Sequence, residues 1–382
     1  MKFLLINLGE GAVPHGSGGT ERVSNIAHEF QLQNHECEFL GTIGLVNFLK
    51  SKSVAVPVRM IPIPRLLSKE KSKLDRFLVY LWTTFKLSKY LNSRDFNFVY
   101  SASDFFPDVI ASYIVKKQNP NIQWIAIIHH QAKLNFKNLL TFVTSLGSFL
   151  AQQATWTIIS KHGSLVLLYD SNEGRMISKL SKFKNRKLGF IQNGINFELI
   201  ENSKPAANSL DLLLCGGPRQ SKGVLDLPSI LELVKIQYPN VRVGLAGHGT
   251  PNIIRILNAQ LEGVGMASNV KFFGNLPKSE LYSLMKSSRI VISLSYEEGW
   301  GIAVREALAC GRPCVAYRIP AFQDLEEYLN FVDLGDTEAM SREIIALLDS
   351  FNQQKPLSYQ PVGASWREVA QKELAFILGK IG

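Results

Sequence analysis

The chain of 382 residues has no run of about 18 uninterrupted apolar residues, the length that a membrane-spanning helix needs. Its opening apolar run, residues 3–6, is too short for the core of a secretory signal and stops before Gly9. We expect a first buried strand there instead. The sequence therefore predicts a protein that is soluble or bound to a membrane only at its surface.

Cysteine is scarce, since only Cys37, Cys215, Cys310 and Cys314 occur in the whole sequence. So few cysteines in a chain of this length do not form a disulfide framework. Cys310 and Cys314 lie four apart in an apolar segment that we expect to be helical, but no further cysteine or histidine is near enough in sequence to complete a metal site. We expect buried thiols and a reducing, cytoplasmic setting.

Acidic residues are sparse in the first half of the chain. Residues 1–193 hold 24 Lys and Arg against 12 Asp and Glu, a net charge of +12, whereas residues 194–382 hold 18 against 20, a net charge of −2. Such a split indicates that the first half meets phosphate-rich material: a membrane surface, a lipid phosphate or nucleic acid. No nucleic-acid recognition module is visible, so we expect no nucleic-acid partner.

The length exceeds what one hydrophobic core usually carries, so we expect two domains. Short apolar runs alternate with helical patterns, which predicts parallel sheets covered by helices on both faces. The predicted helices are residues 21–32, 74–91, 224–238, 278–287, 302–310 and 366–381. The predicted strands are residues 3–8, 37–41, 98–101, 124–128, 155–159, 212–215, 241–246, 270–273, 290–295 and 314–317.

The alternation pauses in turn residues at 192–196. The polar stretch 196–210, which contains Pro205, is the expected linker. We therefore predict a first Rossmann-like domain at 1–195 and a second at 208–355. A final segment, 356–382, ends in the amphipathic helix.

The loop after the first strand reads GEGAVPHGSGGTERV. Glycines at a strand-to-helix junction let a ligand approach the backbone, and the next helix offers free N–H groups to an anion. The spacing is not that of a dinucleotide site, because the loop, residues 9–19, is too long and contains Pro14. Turn glycines and a ligand-binding loop remain equal alternatives here.

The second half carries a similar loop, CGGPRQSKG, after its first strand. Gly217 permits close backbone approach, while Arg219 and Lys222 place two cations at the carboxyl end of the strand, where open α/β sheets bind ligands. Ordinary surface cations are the alternative explanation. Another glycine turn, at Gly247, follows a later strand.

The most informative segment is EEGWGIAVREALACGRPCVAY, in which seven residues separate Glu298 from Glu306. Glu298 is expected in a loop after a strand, and Glu306 about one turn into the next helix. The first amides of that helix would suit a diphosphate, and a carboxylate one turn along would accept hydrogen bonds from two ribose hydroxyls. A helix start that carries acids because the macrodipole favours them is the alternative.

These segments resemble the large family 4 of retaining glycosyltransferases, the group 1 glycosyltransferases, which have the GT-B fold. SLSYEEGWGIAVREALACGRPCVAY resembles the E-x7-E segment of that family. In chain order, HGSGGTERV, IIHH, IQNGIN, GGPRQSKG, LAGHGT, FFGNLPKSELYSLMKSS and SWREVAQKEL resemble its other segments. The resemblance covers nearly the whole chain. It implies two Rossmann-like domains facing a cleft, with the C-terminal helix crossing back to the first.

The resemblance also implies the site. Its catalytic residues would be His129, Glu298 and Lys222. His130 is the alternative to His129, which its place in the motif slightly favours, and only one of two neighbours in a strand is expected to reach the cleft. Glu306 would bind the ribose, and the base would meet the loop at 275–276. The donor-binding residues would be Gly18, Gly19, Gly217, Arg219, Lys222, Gly247, Asn275, Leu276, Glu298, Gly301, Ile302, Ala303 and Glu306.

Two departures from the family pattern are visible. The family usually has arginine five residues before the loop lysine, where this chain has Gly217. Arg219 would then supply the second cation, or the phosphate site would be weaker. The family also favours aspartate where this chain has Asn196.

The implied chemistry breaks a sugar–phosphate bond. Cations and amides that stabilise the negative charge of the leaving diphosphate would therefore contribute most to catalysis. The resemblance implies retention of configuration, with the acceptor proton passing to a phosphate oxygen. Glu298 would position the sugar, while a double displacement on Glu298 is the less favoured route. The sequence has no Asp-x-Asp pair, the usual metal–nucleotide ligand of the other large glycosyltransferase fold. We therefore expect no metal and no cofactor besides the nucleotide diphosphate sugar.

Two rival functions fit the same fold. An epimerase acting on a nucleotide sugar alone would need acid–base carboxylates. A non-catalytic subunit would keep the fold and lose the site, against which Glu298, Glu306 and Lys222 count. The sugar, the base and the linkage are not specified by the sequence.

The stretch 65–94 holds eight Lys and Arg against two Asp and Glu. Its apolar residues recur at helical spacing, namely Leu74, Phe77, Leu78, Leu81, Trp82 and Phe85. An apolar face with basic flanks and a tryptophan is typical of an interfacial helix. We predict binding to anionic membranes, a glycan or lipid-linked acceptor, and a peripheral position on the inner face of the cell membrane. An ordinary helix that packs this face on the sheet is the alternative.

Overall fold

The computed structural model describes residues 1–12, 18–52, 54–68, 73–90, 95–129, 131–132, 134, 139–353 and 362–381. The chain divides into two compact units. Unit 1 comprises Met1–Gly194 and Trp366–Gly382, and unit 2 comprises Ile195–Ser365. The chain therefore leaves unit 1 and returns to it, and the last helix is part of unit 1.

Unit 1 alternates strands with helices. Its strands are β1 (Lys2–Asn7), β2 (Glu36–Gly41), β3 (Val58–Met60), β4 (Phe98–Ser101), β5 (Gln123–Ile128), β6 (Leu165–Tyr169) and β7 (Leu188–Ile191). Its helices are α1 (Gly18–Leu32), α2 (Ile43–Ser51), α3 (Lys73–Tyr90), α4 (Phe106–Gln118), α5 (Leu139–His162) and α6 (Asn172–Ser178), with a last helix at Trp366–Ile381. A short strand, β8 (Gly194–Ile195), lies where the chain passes into unit 2.

The sheet of unit 1 has the order β3-β2-β1-β4-β5-β6-β7. All pairings among these described strands are parallel. Residues of β1, β5 and β6 are almost fully buried, because helices cover both faces of the sheet. The predicted parallel α/β architecture is confirmed.

One predicted strand is wrong. Residues 155–159 lie inside the helix α5, not in a strand. The run Thr-Trp-Thr-Ile-Ile has high strand propensity, but Trp156 and Ile159 are three residues apart and both are fully buried on the inner side of the helix. The strand comes after Gly163, as β6.

The last helix is held to unit 1 by a buried ion pair. The Arg22 guanidinium on α1 donates to the Glu373 carboxylate, which also accepts the hydroxyl hydrogen of Tyr100 on β4. Arg22 and Tyr100 are fully buried, and Glu373 is 3% exposed. Burial works to lower the pKa of Arg22, but the neighbouring Glu373 carboxylate raises it, and the net direction is upward.

Unit 2 repeats the plan. Its helices are α7 (Phe197–Asn202), α8 (Leu227–Gln237), α9 (Pro251–Gly263), α10 (Lys278–Ser287), α11 (Ile302–Ala309) and α12 (Thr337–Asn352). Its strands are β9 (Leu210–Cys215), β10 (Val243–Ala246), β11 (Val270–Gly274), β12 (Ser288–Ser293), β13 (Cys314–Tyr317) and β14 (Asn330–Val332). The chain then passes through β15 (Ala364–Ser365), which pairs with β8, into α13 (Trp366–Ile381).

The sheet of unit 2 has the order β11-β10-β9-β12-β13-β14, again with parallel pairings throughout its described strands. Apolar residues form cores on both of its faces. On one side Leu212 and Leu214 of β9 join α8 and α12, and on the other Leu213 joins α10 and α11. Successive β9 side chains thus point to opposite faces, as strand geometry requires.

The expected linker at 196–210 is not an irregular connection. It belongs to unit 2 and contains α7, whose first turn is capped by the Asn196 side chain accepting from the amide of Leu199 at 3.0 Å. Asparagine is a favoured N-cap residue, so the polar composition marked a helix start. The ammonium of Lys286 on α10 donates to the Ile200 and Ser203 carbonyls and holds this segment to its unit.

The cysteine pair Cys310 and Cys314 does not share a helix, contrary to the expectation. The helix α11 ends at Ala309, Gly311 takes a left-handed conformation with φ of 70°, and Cys314 begins β13. Both thiols are free and buried. Burial raises the pKa of Cys310 to about 12, which keeps this thiol protonated.

Within the described part of the chain, no helix combines the length and apolarity that crossing a membrane requires.

We predict that Glu373→Ala destabilises unit 1 by about 3–5 kcal/mol, because it leaves the Arg22 charge buried without its partner. Thermal unfolding followed by tryptophan fluorescence measures the loss. The matched control is Lys372→Ala, one residue away on the exposed side of α13, with an expected change within about 0.5 kcal/mol. Equal stability of the two variants would contradict the role assigned to the pair.

Candidate functional site

The predicted donor residues of unit 2 lie at one edge of its sheet. The strand β9 is flanked by β10 and β12, so the strand order reverses there. The loops that follow these strands carry Gly217, Gly247 and Glu298. In open parallel sheets, ligands bind at the carboxyl ends of the strands where the order reverses.

The loop after β9 packs directly on the turn after β10. Gly217 has φ of 78°, and a Cβ there would lie 2.3 Å from the carbonyl oxygen of His248. No side chain fits, so the usual arginine of the resembling family has no room at this position. Arg219 is exposed and donates to the Gly216 carbonyl at 2.8 Å, which bends its guanidinium back over the same loop.

The lysine of this loop is bound to the first carboxylate of the E-x7-E segment. The Lys222 ammonium donates to Oε1 of Glu298, and the Ser295 hydroxyl donates to the same oxygen at 2.9 Å. The Lys222 and Glu298 side chains are 20% and 19% exposed. The amide of Tyr296 donates to the Ser221 carbonyl at 3.0 Å, so backbone and side chains both join the two loops.

The N-terminus of α11 is built around Gly301. This residue has φ of 73°, and a Cβ would lie 2.1 Å from Cε1 of Phe322, so only glycine is compatible with the turn. The amides of Ile302 and Ala303 follow in the first turn. First-turn amides have no intrahelical acceptor, so an anion placed here would find hydrogen-bond donors.

A buried arginine braces the same loop. The Arg305 guanidinium stacks on the Trp300 ring at 4.1 Å and donates to the Trp300 carbonyl at 3.1 Å. It also binds the Asp324 carboxylate at 2.8 Å. Arg305 is 3% exposed, so these contacts fix the loop before α11 from the inside. Arg305 is not among the site residues predicted from the sequence.

The second carboxylate, Glu306, is also paired with a lysine. Its Oε1 accepts from the Lys278 ammonium and, at 2.7 Å, from the Tyr282 hydroxyl. Lys278 and Tyr282 both lie on α10, four residues apart and therefore on one face of the helix. They were missed as site residues, although their spacing is visible in the segment that resembles the base-contacting loop. Their contact with Glu306 on α11 is not visible in the sequence.

The predicted base-contacting loop follows β11. Asn275 is exposed, whereas the side chain of Leu276 packs against the core that α10 and α11 share. Leu276 is partly buried by this packing. This loop runs directly into Lys278, the first residue of α10.

In unit 1, the structure brings His129 together with the glycine loop. A Cβ at Gly19 would lie 2.9 Å from Cε1 of the His129 ring. Nε2 of His129 donates to the Ala102 carbonyl at 2.9 Å, which fixes the tautomer because a carbonyl only accepts. Gly18 is exposed at the start of α1. His130, the alternative candidate, lies outside the described residues.

Two buried aspartates support this end of unit 1. Asp104 accepts from Trp156 Nε1 at 2.7 Å and from Gln152 at 2.9 Å. Asp108 accepts from the Leu8 amide at 2.7 Å and from the Ser103 hydroxyl at 2.6 Å. Burial raises the pKa of Asp108 to about 7, although both hydrogen bonds act to lower it. Asp108 therefore titrates near neutral pH.

No group of three or more His, Cys, Asp or Glu in the described ranges is arranged to hold a metal ion. The charged groups at the edge of the unit 2 sheet are instead paired as Lys222 with Glu298 and Lys278 with Glu306. Each pair combines a carboxylate that accepts hydrogen bonds from hydroxyls with a cation that attracts phosphate.

Comparison with known proteins identifies a family and relatives that this chain resembles. Residues 209–350 match the family model described as "Glycosyl transferases group 1". The chain is 24% identical over 192 residues to a subunit of the phosphatidylinositol N-acetylglucosaminyltransferase of Arabidopsis thaliana, covering 49% of this chain and 42% of the relative. It is 24% identical over 157 residues to GDP-mannose:cellobiosyl-diphosphopolyprenol alpha-mannosyltransferase of Xanthomonas campestris, covering 41% of each.

Solved structures extend the likeness to the whole chain. Anabaena Alr3699/HepE in complex with UDP and glucose has a TM-score of 0.70 at 15% identity and covers 99% of both chains. Sucrose-phosphate synthase of Thermosynechococcus elongatus has a TM-score of 0.70 at 17% identity, covering 99% of this chain and 97% of the other. The fold is therefore the GT-B fold of glycosyltransferases.

The resemblance to the group 1 glycosyltransferases is confirmed by the family match over most of unit 2. The chain matches only about two fifths of the length of the two curated relatives, 42% and 41%. The roles of the individual site residues stay predictions.

We predict that Asp108 makes unit 1 less stable as the pH rises. A raised pKa means that the folded protein holds the proton more tightly than the unfolded chain, so this contribution is complete below the ordinary pKa of 3.8 and is lost as the pH rises through about 7. Asp108→Asn imitates the protonated acid. Between pH 6 and 8 the wild type should lose roughly 1 kcal/mol more than the variant in thermal unfolding. Parallel pH profiles would refute the assignment.

Proposed function

We propose that this protein is a retaining glycosyltransferase of family 4, which moves a sugar from a nucleotide diphosphate sugar to a glycan or lipid-linked acceptor. The observation that carries the proposal is the E-x7-E segment at the edge of the unit 2 sheet. There Glu298 and Glu306 flank the N-terminus of α11, and each carboxylate is held by a lysine.

The diphosphate of the donor fits the cations and amides of this edge. Lys222, Arg219 and the first-turn amides of α11 are the groups that bind phosphate oxygens in proteins. Glu306 would accept hydrogen bonds from the ribose, and Glu298 from the sugar. The relatives support a nucleotide sugar of this type, since their names include GDP-mannose and one structural neighbour was solved with UDP-glucose.

In the reaction, the bond between the anomeric carbon and the diphosphate oxygen breaks, and the acceptor oxygen bonds to the same carbon. The leaving diphosphate keeps the electron pair, which Lys222 and the α11 amides stabilise. The acceptor proton passes to a phosphate oxygen, so the acceptor attacks on the face that the diphosphate leaves. This route needs neither a carboxylate nucleophile nor a metal, and Glu298 acts by positioning the sugar. The resemblance also implies a sugar contact for His129.

The rival functions are an epimerase of the same fold and a non-catalytic subunit. The epimerase would convert a nucleotide sugar without an acceptor, whereas the subunit would bind no donor. The lysine-paired carboxylates favour a working donor site over a non-catalytic subunit, because they place phosphate-attracting cations and hydroxyl-accepting carboxylates at one edge. Product analysis with and without acceptor separates transferase from epimerase.

We predict that one member of a panel of UDP- and GDP-sugars stabilises the protein by about 2.7 kcal/mol at 100 times its dissociation constant. Glu306→Gln should weaken donor binding by roughly 10- to 100-fold, since it removes a charged hydrogen-bond acceptor. Glu298→Gln should mainly lower kcat, because an interaction that forms only in the transition state affects that constant. Thermal shift and steady-state kinetics measure the two effects.

The control for this prediction is Glu343→Gln on α12, away from the edge that carries the two pairs. It should leave the thermal shift and the kinetics unchanged. Lack of stabilisation by every UDP- and GDP-sugar would sink the proposed donor. NMR of the product reports the anomeric configuration, and inversion would refute the retaining mechanism.

We further propose that unit 1 docks on an anionic membrane, where the acceptor is lipid-linked. The helix α3 packs on unit 1 through the buried side chains of Val79, Tyr80, Thr83 and Leu87. Its other side exposes Phe77, Leu78, Leu81 and Phe85 to 48%, 40%, 46% and 78%. The two interpretations of this helix thus coexist, since one face packs and most of the predicted apolar face remains exposed.

Not every predicted member of that face is exposed. Trp82 is half-buried, with its indole N–H donating to the Pro62 carbonyl at 3.0 Å and the Lys86 ammonium 4.8 Å from its ring. Lys69 and Lys71 lie outside the described residues, as do the side chains of Lys73 and Leu74.

The exposed apolar surface continues beyond α3. The helix α4, which contacts both α3 and α5, is preceded by Phe105 at 42% exposure, and α5 exposes Val143 and Leu150 to 55% and 58%. Tyr80 packs edge-on against Phe105 at 5.0 Å and donates to the Gly9 carbonyl at 3.0 Å. Through Tyr80, the helix α3 therefore contacts both Phe105 and Gly9, the first residue of the glycine loop.

A lipid surface is the occupant that both charge and apolarity favour. Basic residues outnumber acidic ones eight to two in 65–94, and each cation near an anionic membrane contributes about 1 kcal/mol. Two relatives are named for phosphatidylinositol and diphosphopolyprenol, which are lipids. A peripheral protein on the cytoplasmic face of the membrane would meet such an acceptor directly.

We predict that the protein co-sediments with vesicles that contain anionic lipid, and that binding falls with salt. Phe85→Ser should weaken binding roughly 30-fold, since a phenylalanine that becomes buried contributes about 2 kcal/mol at an interface. Changing Lys69, Lys71 and Lys73 together to Glu should abolish binding at moderate salt.

The matched control is Ile236→Ser on α8 of unit 2, where the side chain is 79% exposed against 78% for Phe85. It removes an equally exposed apolar group from the other unit and should leave vesicle binding unchanged. Absence of binding at low salt would refute the membrane proposal and favour a soluble glycan acceptor.

A further inference from the structure

We infer that Lys278 is a positioning residue for nucleotide recognition, which together with Tyr282 holds the Glu306 carboxylate in place for the ribose hydroxyls of the donor. The inference rests on the proposed function, since it takes Glu306 as the ribose-binding group. It adds a lysine that neither the motif nor the family match identifies.

The geometry is a three-group cluster on two helices. Both the Lys278 ammonium and the Tyr282 hydroxyl donate to Oε1 of Glu306. Tyr282 is 1% exposed, and the side chains of Lys278 and Glu306 are 16% and 4% exposed. The ammonium also lies 5.8 Å from the centre of the Tyr282 ring. Two donors on one oxygen fix the plane and the rotamer of the carboxylate.

Fixed orientation matters for a carboxylate that is to bind two neighbouring hydroxyls. Two hydrogen bonds to a ribose form together only when the carboxylate is already aimed, because each freely rotating bond would otherwise be ordered on binding. Tyr282 anchors Glu306 from the core side, and Lys278 does so from the partly exposed side. Both anchors lie one turn apart on α10.

Charge gives Lys278 a second effect. A buried carboxylate beside a diphosphate would repel the ligand, and burial would disfavour its charged form. The Lys278 ammonium balances this charge while the carboxylate remains a hydrogen-bond acceptor. Lys222 has the same relation to Glu298, so the proposed donor site holds two balanced pairs.

Lys278 lies between the loop that is predicted to contact the base and the carboxylate that is proposed to bind the ribose. The predicted base-contacting loop, which contains Asn275 and Leu276, ends one residue before Lys278. A ligand that bridges this loop and Glu306 passes the ammonium. Lys278 is therefore placed to respond to the nucleoside rather than to the sugar, and its loss should be felt in nucleotide binding.

The test compares UDP and GDP with their 3′-deoxyribose counterparts by calorimetry. The wild type should bind the preferred ribonucleotide about tenfold more tightly than its deoxy form, as expected for one hydrogen bond to a charged group. Lys278→Met should weaken binding of both forms, because the unbalanced Glu306 charge repels the diphosphate, but it should weaken the ribonucleotide about tenfold more than the deoxy form, so that the preference approaches one. Lys278→Arg should restore most of it. In turnover, KM should rise while kcat changes less than about twofold.

The matched control is Lys286→Met, which removes another partly buried lysine of α10 that binds the Ile200 and Ser203 carbonyls instead of Glu306. This variant should keep the ribose preference even where its melting temperature falls. Tyr282→Phe tests the second anchor and should reduce the preference by a smaller factor.

Two outcomes overturn the inference in different ways. A Lys278→Met protein that folds and keeps the full ribose preference shows that the ion pair is structural only. Failure of the wild type to bind either UDP or GDP refutes the proposed function, and this inference with it. Melting curves of all variants establish that they are folded. If Lys278→Met does not fold, Tyr282→Phe tests the inference, and a full ribose preference in that folded variant overturns it.

Discussion

In each unit, the architecture depends on the point where a parallel sheet reverses its strand order. The reversal lies at β1 in unit 1 and at β9 in unit 2. Helices that follow neighbouring strands go to opposite faces there, which leaves the carboxyl ends of the strands without a covering helix. In each unit the glycine loop starts from this edge of its own sheet, and in unit 2 so does the E-x7-E segment. The topology of each sheet therefore decides where the candidate residues of that unit lie.

Within unit 2, lysine–carboxylate pairing organises this edge. Lys222 with Glu298 and Lys278 with Glu306 connect loops and helices that are far apart in sequence. Charged groups of this kind are costly to bury unless they are paired and hydrogen-bonded, and here the serine and tyrosine hydroxyls complete the bonding. The result is a set of hydrogen-bond acceptors whose charge is already balanced.

Unit 1 uses a buried charge differently. The pair of Arg22 with Glu373 is fully enclosed and fastens the last helix of the chain to α1, after the chain has passed through unit 2. On α3, by contrast, large apolar side chains remain exposed beside a basic segment. Exposed patches of this type mark interaction surfaces, and the sequence predicted which side chains would form most of it.

The sequence by itself determined the alternation of strands and helices, the parallel sheets and the segment that identifies the family, because these depend on local periodicity and on short motifs. It misplaced the strand at 155–159, since strand propensity there yields to the packing of Trp156 in a long helix. Only the tertiary structure decided that Lys278 and Tyr282 meet Glu306, that Arg305 braces the loop before α11, and that Gly217 has no room for a side chain. Each of these is a contact between segments distant along the chain, and local sequence patterns carry no signal for such contacts.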